Sequence, residues 1–157
     1  MTTPPAESNP LVGIWKLLSA IAIHPDGTVN PEAYGANPTG YITYTAEGHM
    51  MVMFAKSDRP PFSRDVRSPL SEEMSAVAIE ELAHAFTSFN AYAGTYTWDG
   101  NIVRHHLTIT SIPNRLGTTL VRTFAISDDR LALRTPETIG TGGAMVFELL
   151  WERLKSQ

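Results

Sequence analysis

Along most of the chain, apolar and polar residues alternate with a period of two, the spacing that turns one face of a β-strand to a core and the other to water. The first such segment, LVGIWKLLSAIAIH at 11–24, sets Trp15, Leu17, Ser19, Ile21 and Ile23 on one side and Lys16 on the other. It predicts a long strand, apolar on the Trp15 face. Pro25, Asp26 and Gly27 then mark a turn, and NPEAYGANPTG at 30–40 is punctuated by Pro31, Gly35, Pro38 and Gly40, which predicts a loop at a barrel mouth or edge. Tyr41–Thr45 and His49–Ala55 flank a turn in which Gly48 can take a positive φ, so they predict a hairpin. Later segments of the same period are Ala91–Trp98, Asn101–Ser111, Thr118–Ser127, Arg130–Thr135 and Met145–Leu154. They are separated by Asp99-Gly100, a turn around Pro113–Gly117, Asp128-Asp129 and a glycine-rich loop at 140–143.

One stretch breaks the alternation. KSDRPPFSRDVRSP at 56–69 is polar and proline-broken, and SEEMSAVAIEELAHAFTSF at 71–89 shifts to helical spacing. Ser71 can cap this helix, Glu72 and Glu73 suit the positive end of its dipole, and Met74, Ala78, Leu82, Ala85, Phe86 and Phe89 form one stripe. The stripe is expected to lie on an apolar surface, with Glu73, Glu80 and His84 facing water. Residues 1–10, with three prolines, predict a flexible tail ahead of one domain over 11–157. The expected fold is all-β: an up-and-down antiparallel barrel of about eight or nine strands with one inserted helix near 71–89. Such a barrel has an interior that holds side chains or one small ligand.

Composition narrows the partners. Twelve Lys and Arg against sixteen Asp and Glu give a net charge of −4, and no basic run occurs, which argues against nucleic-acid or anionic-membrane surfaces. Only 18% of residues are charged while 43% are hydrophobic, enough apolar material for a large core or a lined cavity. The absence of cysteine removes disulfides, thiolate nucleophiles and thiolate-bound zinc. With no secretion-signal pattern at the start and no apolar run of membrane length, the expected compartment is the cytoplasm.

Candidate chemistry sits on two strands. On NIVRHHLTITS, Val103, His105, Leu107 and Ile109 share a face, so His105 points with the apolar set. On TTLVRTFAIS, Arg122 falls among Leu120, Phe124 and Ile126, which directs a guanidinium inward, where it requires a partner. Two readings follow. Arg122 and His105, with Tyr96, form a polar patch that grips a carboxylate, enol or carbonyl and moves a proton; or Arg122 plugs one end of the barrel and His105 is a satisfied core histidine. His105 and His106 project to opposite faces and no metal-ligand spacing occurs, so no metal is expected. GTGG at 140–143 lacks the strand-to-helix context of a phosphate loop and reads as a hinge or lid at the mouth; no cofactor is expected. Glu72-Glu73, Glu80-Glu81 and the His84–Glu80 pair read as solvated surface. HMMVMFA is apolar on both faces, which calls for cover by the helix or by a second copy of the chain, hence a homodimer.

Several fragments resemble known sequences. Gly13-Ile14-Trp15 near the start and Trp-Glu-Arg at 151–153 near the end are similar to the lipocalin superfamily pattern, in which an early Gly-x-Trp packs under the barrel and a late Arg lies across the ring. NPTGYITYTAEGHM at 37–50, RPPF at 59–62, GTYTWDGNIVRHHL at 94–107 and Gly117–Leu133 resemble the bacterial and fungal lipocalin-like domain family. The resemblance implies a small-molecule barrel, makes Trp15 and Arg153 architectural, and brings in cofactor-independent cyclases and isomerases of biosynthetic pathways. Three functions stand side by side: a binder of one small apolar molecule with a polar head, a cofactor-free cyclase or isomerase, and a filled-core interaction module. The expected lining is Met53, Phe54, Tyr96, Trp98, His105, Leu120, Arg122 and Phe124, with Arg122, His105 and Tyr96 as the catalytic candidates.

Overall fold

In the computed structural model, residues 8–140 and 143–156 are described. The chain forms β1 (Gly13–Ile23), β2 (Val29–Asn30), β3 (Thr39–Tyr44), β4 (His49–Ala55), α1 (Ile79–Thr87), β5 (Phe89–Asp99), β6 (Ile102–Thr110), β7 (Thr119–Ser127), β8 (Arg130–Arg134), β9 (Thr138–Gly140) and β10 (Gly143–Arg153). Short 3₁₀ turns cover Glu72–Ala76 and Pro113–Arg115. Neighbouring strands pair antiparallel in the order β1-β3-β4-β5-β6-β7-β8-β10, and β10 returns to pair with β1. The result is a closed eight-stranded barrel, with β2 and β9 as short additions at its rim. The tight turns that the sequence announces are present, with Gly48 at φ 94° and Gly100 at φ 58°.

Closure is secured at one end by a small stack. The Arg153 guanidinium lies 4.1 Å from the centre of the Trp15 ring. Its Nη1 donates to the Val12 carbonyl at 2.5 Å and its Nη2 to the Pro10 carbonyl at 2.9 Å, while Trp15 Nε1 donates to the Leu11 carbonyl at 2.9 Å. Gly13 is required beside this stack: its φ is 141°, and a Cβ there would sit 2.7 Å from Arg153 Nη1. Leu11, Trp15, Tyr44, Met50, Leu131 and Trp151 fill the interior above it.

The first strand differs from strict alternation. Its register with β10 slips between Leu17 and Ser19, so Trp15 and Leu17 face inward below the slip and Ala20 and Ala22 above it, instead of Ile21 and Ile23. A β-bulge inserts one residue and flips the parity of all that follow. Its consequence is volumetric, because two alanines replace two isoleucines on the inner wall of the upper barrel.

The expected helix over 71–89 is shorter and less covered than its pattern implies. It divides into the 3₁₀ turn and α1, with Val77 and Ala78 extended between them, and Phe89 already belongs to β5. Leu82 is 36% and Phe86 51% exposed, so the middle of the apolar stripe is left open to solvent. The whole excursion from β4 to β5 closes on itself: Ala55 pairs with Phe89, and Lys56 N donates to the Ser88 carbonyl at 3.0 Å. Nor does the helix cover the methionine strand, whose Met51 and Met53 are 52% and 50% exposed on the outer face.

Residues 1–7 of the expected tail and residues 141–142 of the glycine-rich loop lie outside the described residues. Asn9 and Pro10, at the end of that tail, already contact the barrel through Tyr96 and Arg153.

The stack carries a prediction. Gly13→Ala forces a side chain into a left-handed conformation against Arg153, and an expected loss of about 1–3 kcal/mol appears as a lower urea midpoint. A loss under about 0.5 kcal/mol would show that the stack tolerates a Cβ and does not constrain closure.

Candidate functional site

Above the packed floor the barrel is hollow. A cavity of about 300 Å³ opens toward the mouth, with Ile42, Val52, Phe54, Leu133, Leu149 and Trp151 among its walls. Ala20 is part of that wall, which ties the space to the bulge in β1. Ala33 and Tyr34 of the loop before β3 reach over it, and the Tyr34 ring packs edge-on against Phe54 at 5.0 Å. Of the two expected places for that loop, mouth or edge, Ala33 and Tyr34 put it at the cavity.

Polar groups gather on one side: Asn90 and Tyr92 from β5, Arg115 from the turn before β7, and Arg122 from β7. Arg122 stands opposite Val103 and its Nη1 donates to the Val121 carbonyl at 2.9 Å. Arg115 places its guanidinium 6.0 Å from the centre of the Tyr92 ring. Burial raises the Tyr92 phenol, and the positive charges of Arg122 and Arg115 pull it back part of the way. The hydroxyl remains protonated and available as a donor at neutral pH.

Behind Tyr92 lies a buried polar chain. His105 is 0% exposed. Its Nε2 is 2.7 Å from the Tyr44 hydroxyl and its Nδ1 is 3.5 Å from the Tyr92 hydroxyl. A neutral imidazole has one N–H and one lone pair, so it can face one phenol as donor and the other as acceptor. Burial, with the nearby Arg122 and His106, holds the His105 pKa down to about 3. Burial also drives Tyr44 well above the usual phenol range. The trio is consequently neutral across the physiological range.

The other sequence-predicted residues are distributed unevenly. Phe54 and Arg122 reach the cavity; His105 does not, being one layer behind it. Tyr96 is occupied elsewhere, its hydroxyl donating to the Thr45 carbonyl at 2.6 Å and accepting from Asn9 Nδ2 at 2.8 Å. Leu120, Trp98 and Phe124 are half-buried against the core, the last two in edge contact at 6.5 Å, and none is on the cavity wall. Met53 faces out. Adjacent strand residues cannot both point inward, and the inner parity of β4 belongs to Met50, Val52 and Phe54.

Asn90, Tyr92 and Arg115, which strand patterning did not single out, complete the polar side. Tyr92 shares its parity with Tyr96 on β5, a signal present in the sequence. Arg115 lies in a proline turn and has no periodic signature.

A broader groove of about 970 Å³ runs outside the barrel between residues 59–67 and α1. Several of its charged groups are engaged: Glu81 accepts from Ser63 N and Oγ, and Arg64 pairs with Glu73 at 3.3 Å. Among the described residues, no group of three or more His, Asp and Glu side chains is placed to hold a metal ion, and no helix is long and apolar enough to cross a membrane.

A closed antiparallel barrel with a packed floor and an apolar cavity carrying a few convergent polar groups defines a small calycin-type ligand-binding barrel. The chain belongs to the lipocalin-like domain family, whose model matches residues 12–154, most of its length. No curated protein matches the chain.

The buried imidazole makes stability depend on pH in a defined direction. Its folded pKa of about 3 lies below the unfolded value of about 6.5. The unfolded chain therefore takes up a proton that the native state refuses between these values, so the contribution is full above pH 6.5 and is lost as pH falls toward 3. The unfolding free energy of the wild type, relative to His105→Gln, is expected to drop by about 1.4 kcal/mol per pH unit between pH 6 and 4. Urea titrations across that range that run parallel for the two proteins would contradict a neutral buried His105.

Proposed function

We infer that the protein binds one small, largely apolar molecule with a polar head in the barrel cavity. The observation that carries this reading is the cavity of about 300 Å³, walled by aliphatic and aromatic side chains and roofed in part by Tyr34. Its volume is at the lower end of the range for small-molecule sites, roughly 300–1,000 Å³, which favours a compact ligand of one or two rings or a short chain. Burying such a body against Val52, Phe54, Leu133 and Leu149 contributes about 25 cal/mol per Å² of apolar surface removed from water. The grouping of Tyr92, Arg115 and Arg122 on one side gives the ligand a direction, apolar body against the aliphatic walls and head toward the arginines.

A second reading, a cofactor-free cyclase or isomerase, is supported by one contact: the Tyr92 hydroxyl is on the cavity wall and touches His105, which leads on to Tyr44. In that reading Arg122 polarises a carbonyl and Tyr92 gives or takes a proton backed by the buried imidazole. With its pKa near 3, His105 is a weak base and acts only through the phenol.

The binding reading is tested with N-phenyl-1-naphthylamine, an uncharged dye that brightens in apolar surroundings. One-to-one saturable binding is expected, with a Kd on the order of 1–10 μM. Ala20→Phe, which fills the cavity, should weaken it at least about tenfold, and Met53→Ala, on the outer face, should leave it within about twofold. Equal affinity in the wild type and Ala20→Phe, with both proteins folded by circular dichroism, would remove the cavity as the binding site.

A further inference from the structure

We propose that the cavity selects an anion: its ligand carries a carboxylate- or sulfonate-type headgroup seated between Arg115 and Arg122. The proposal rests on the cavity being the binding site and adds the chemical class of the head.

The argument begins with donors that have nothing to donate to. Arg115 Nη1 is buried and has no acceptor among the described residues, and the same is true of Trp151 Nε1. Both residues belong to the wall of this one cavity. A buried donor left without a partner costs about 1–3 kcal/mol, and more when it is charged. Folded proteins leave few such groups, and two of them on a single cavity mark a place where acceptors are wanted.

Charge points the same way. Arg115 and Arg122 contribute two formal positive charges, and among the described residues no Asp or Glu lines the wall. Elsewhere Arg64, Arg67, Arg130 and Arg134 each reach a carboxylate, at 3.3, 2.5, 3.6 and 2.5 Å. Among the described residues the cavity arginines do not, although the chain as a whole carries an excess of acid, with a net charge of −4. The positive cavity is thus a local arrangement and not a property of the bulk surface. Arg122 commits Nη1 to the Val121 carbonyl, and among the described residues the rest of its fork meets no carboxylate.

These groups fix the head. A neutral carbonyl would answer one donor and leave both charges uncompensated, and an ammonium would be repelled. A headgroup with two or more oxygens and a single negative charge can accept from both guanidiniums, where charge-assisted hydrogen bonds are about twice as strong as neutral ones. Tyr92, beside Arg115 and kept protonated, supplies a further donor. The apolar remainder of the wall demands that the rest of the ligand be hydrocarbon or aromatic, which excludes a highly hydrated di- or trianion.

The test compares two dyes with the same aryl body. 1-Anilinonaphthalene-8-sulfonate carries the anion; N-phenyl-1-naphthylamine lacks it. The wild type is expected to bind the sulfonate at least about tenfold more tightly than the neutral dye. In Arg115→Met and in Arg122→Met that preference, read as the ratio of the two Kd values, should shrink to below about threefold, with circular dichroism certifying that the variants are folded. A wild-type protein that binds the neutral dye as tightly as the sulfonate overturns the anion site and leaves the cavity reading standing. An unchanged preference in both variants overturns it too, and a loss in only one assigns the head to that guanidinium alone and overturns the pair. If neither dye binds, the cavity reading itself fails and the anion site with it.

Discussion

The constraint on which the molecule depends is the meeting of its first and last long strands. β1 and β10 are separated by nearly the whole sequence, yet they pair over most of their lengths and convert an open sheet, with two exposed edges, into a cylinder with none. The Trp15–Arg153 stack sits where that seam ends. It holds the carbonyls of Pro10, Leu11 and Val12 in place and seals the bottom of the interior. A cation against an indole face is worth only about 0.5–2 kcal/mol, but here it is combined with three hydrogen bonds to backbone that precedes the first strand. Sequence-distant termini are thereby joined before anything can be enclosed.

With the seam closed, the interior divides into two regions of different character. The lower one is packed with Trp15, Trp151, Tyr44 and Met50, and the upper one is left open because the bulge in β1 turns alanines inward. The His105 trio links the regions, with Tyr44 in the packed one and Tyr92 on the cavity wall. Its neutrality allows it to reside in a buried layer at little electrostatic cost, whereas the guanidiniums of Arg115 and Arg122 stand on the wall of the opening. Charge and hydrophobic space are therefore adjacent without being mixed.

Much of this architecture was legible in the sequence, and the parts that were not have identifiable reasons. The barrel strands β3 to β8 and β10 followed, to within about two residues, from period-two alternation and from turn residues such as Gly48 and Gly100, whereas β9 was not singled out. Inward projection of Arg122 and His105 followed from the same alternation. Parity could not place the bulge at Leu18, because the sequence there is apolar on both sides of the slip. It could not choose between Met53 and Phe54 for a similar reason, since HMMVMFA offers two apolar faces and only pairing decides which is inner. Arg115 reaches the cavity from a turn, and turns have no period. The helix was over-read because a stripe of apolar residues states only that cover would be favourable, and Val77 and Ala78 are extended within it.

The excursion between β4 and β5 has one further implication. Its two ends are neighbours, held by the Ala55–Phe89 pairing and the Lys56–Ser88 hydrogen bond, so the sheet is already complete without the thirty or so residues that leave and return there. Physically the excursion is a removable module hung on a finished cylinder. Its length and composition can drift, or be exchanged for a tight reverse turn, while the staves beneath keep their order.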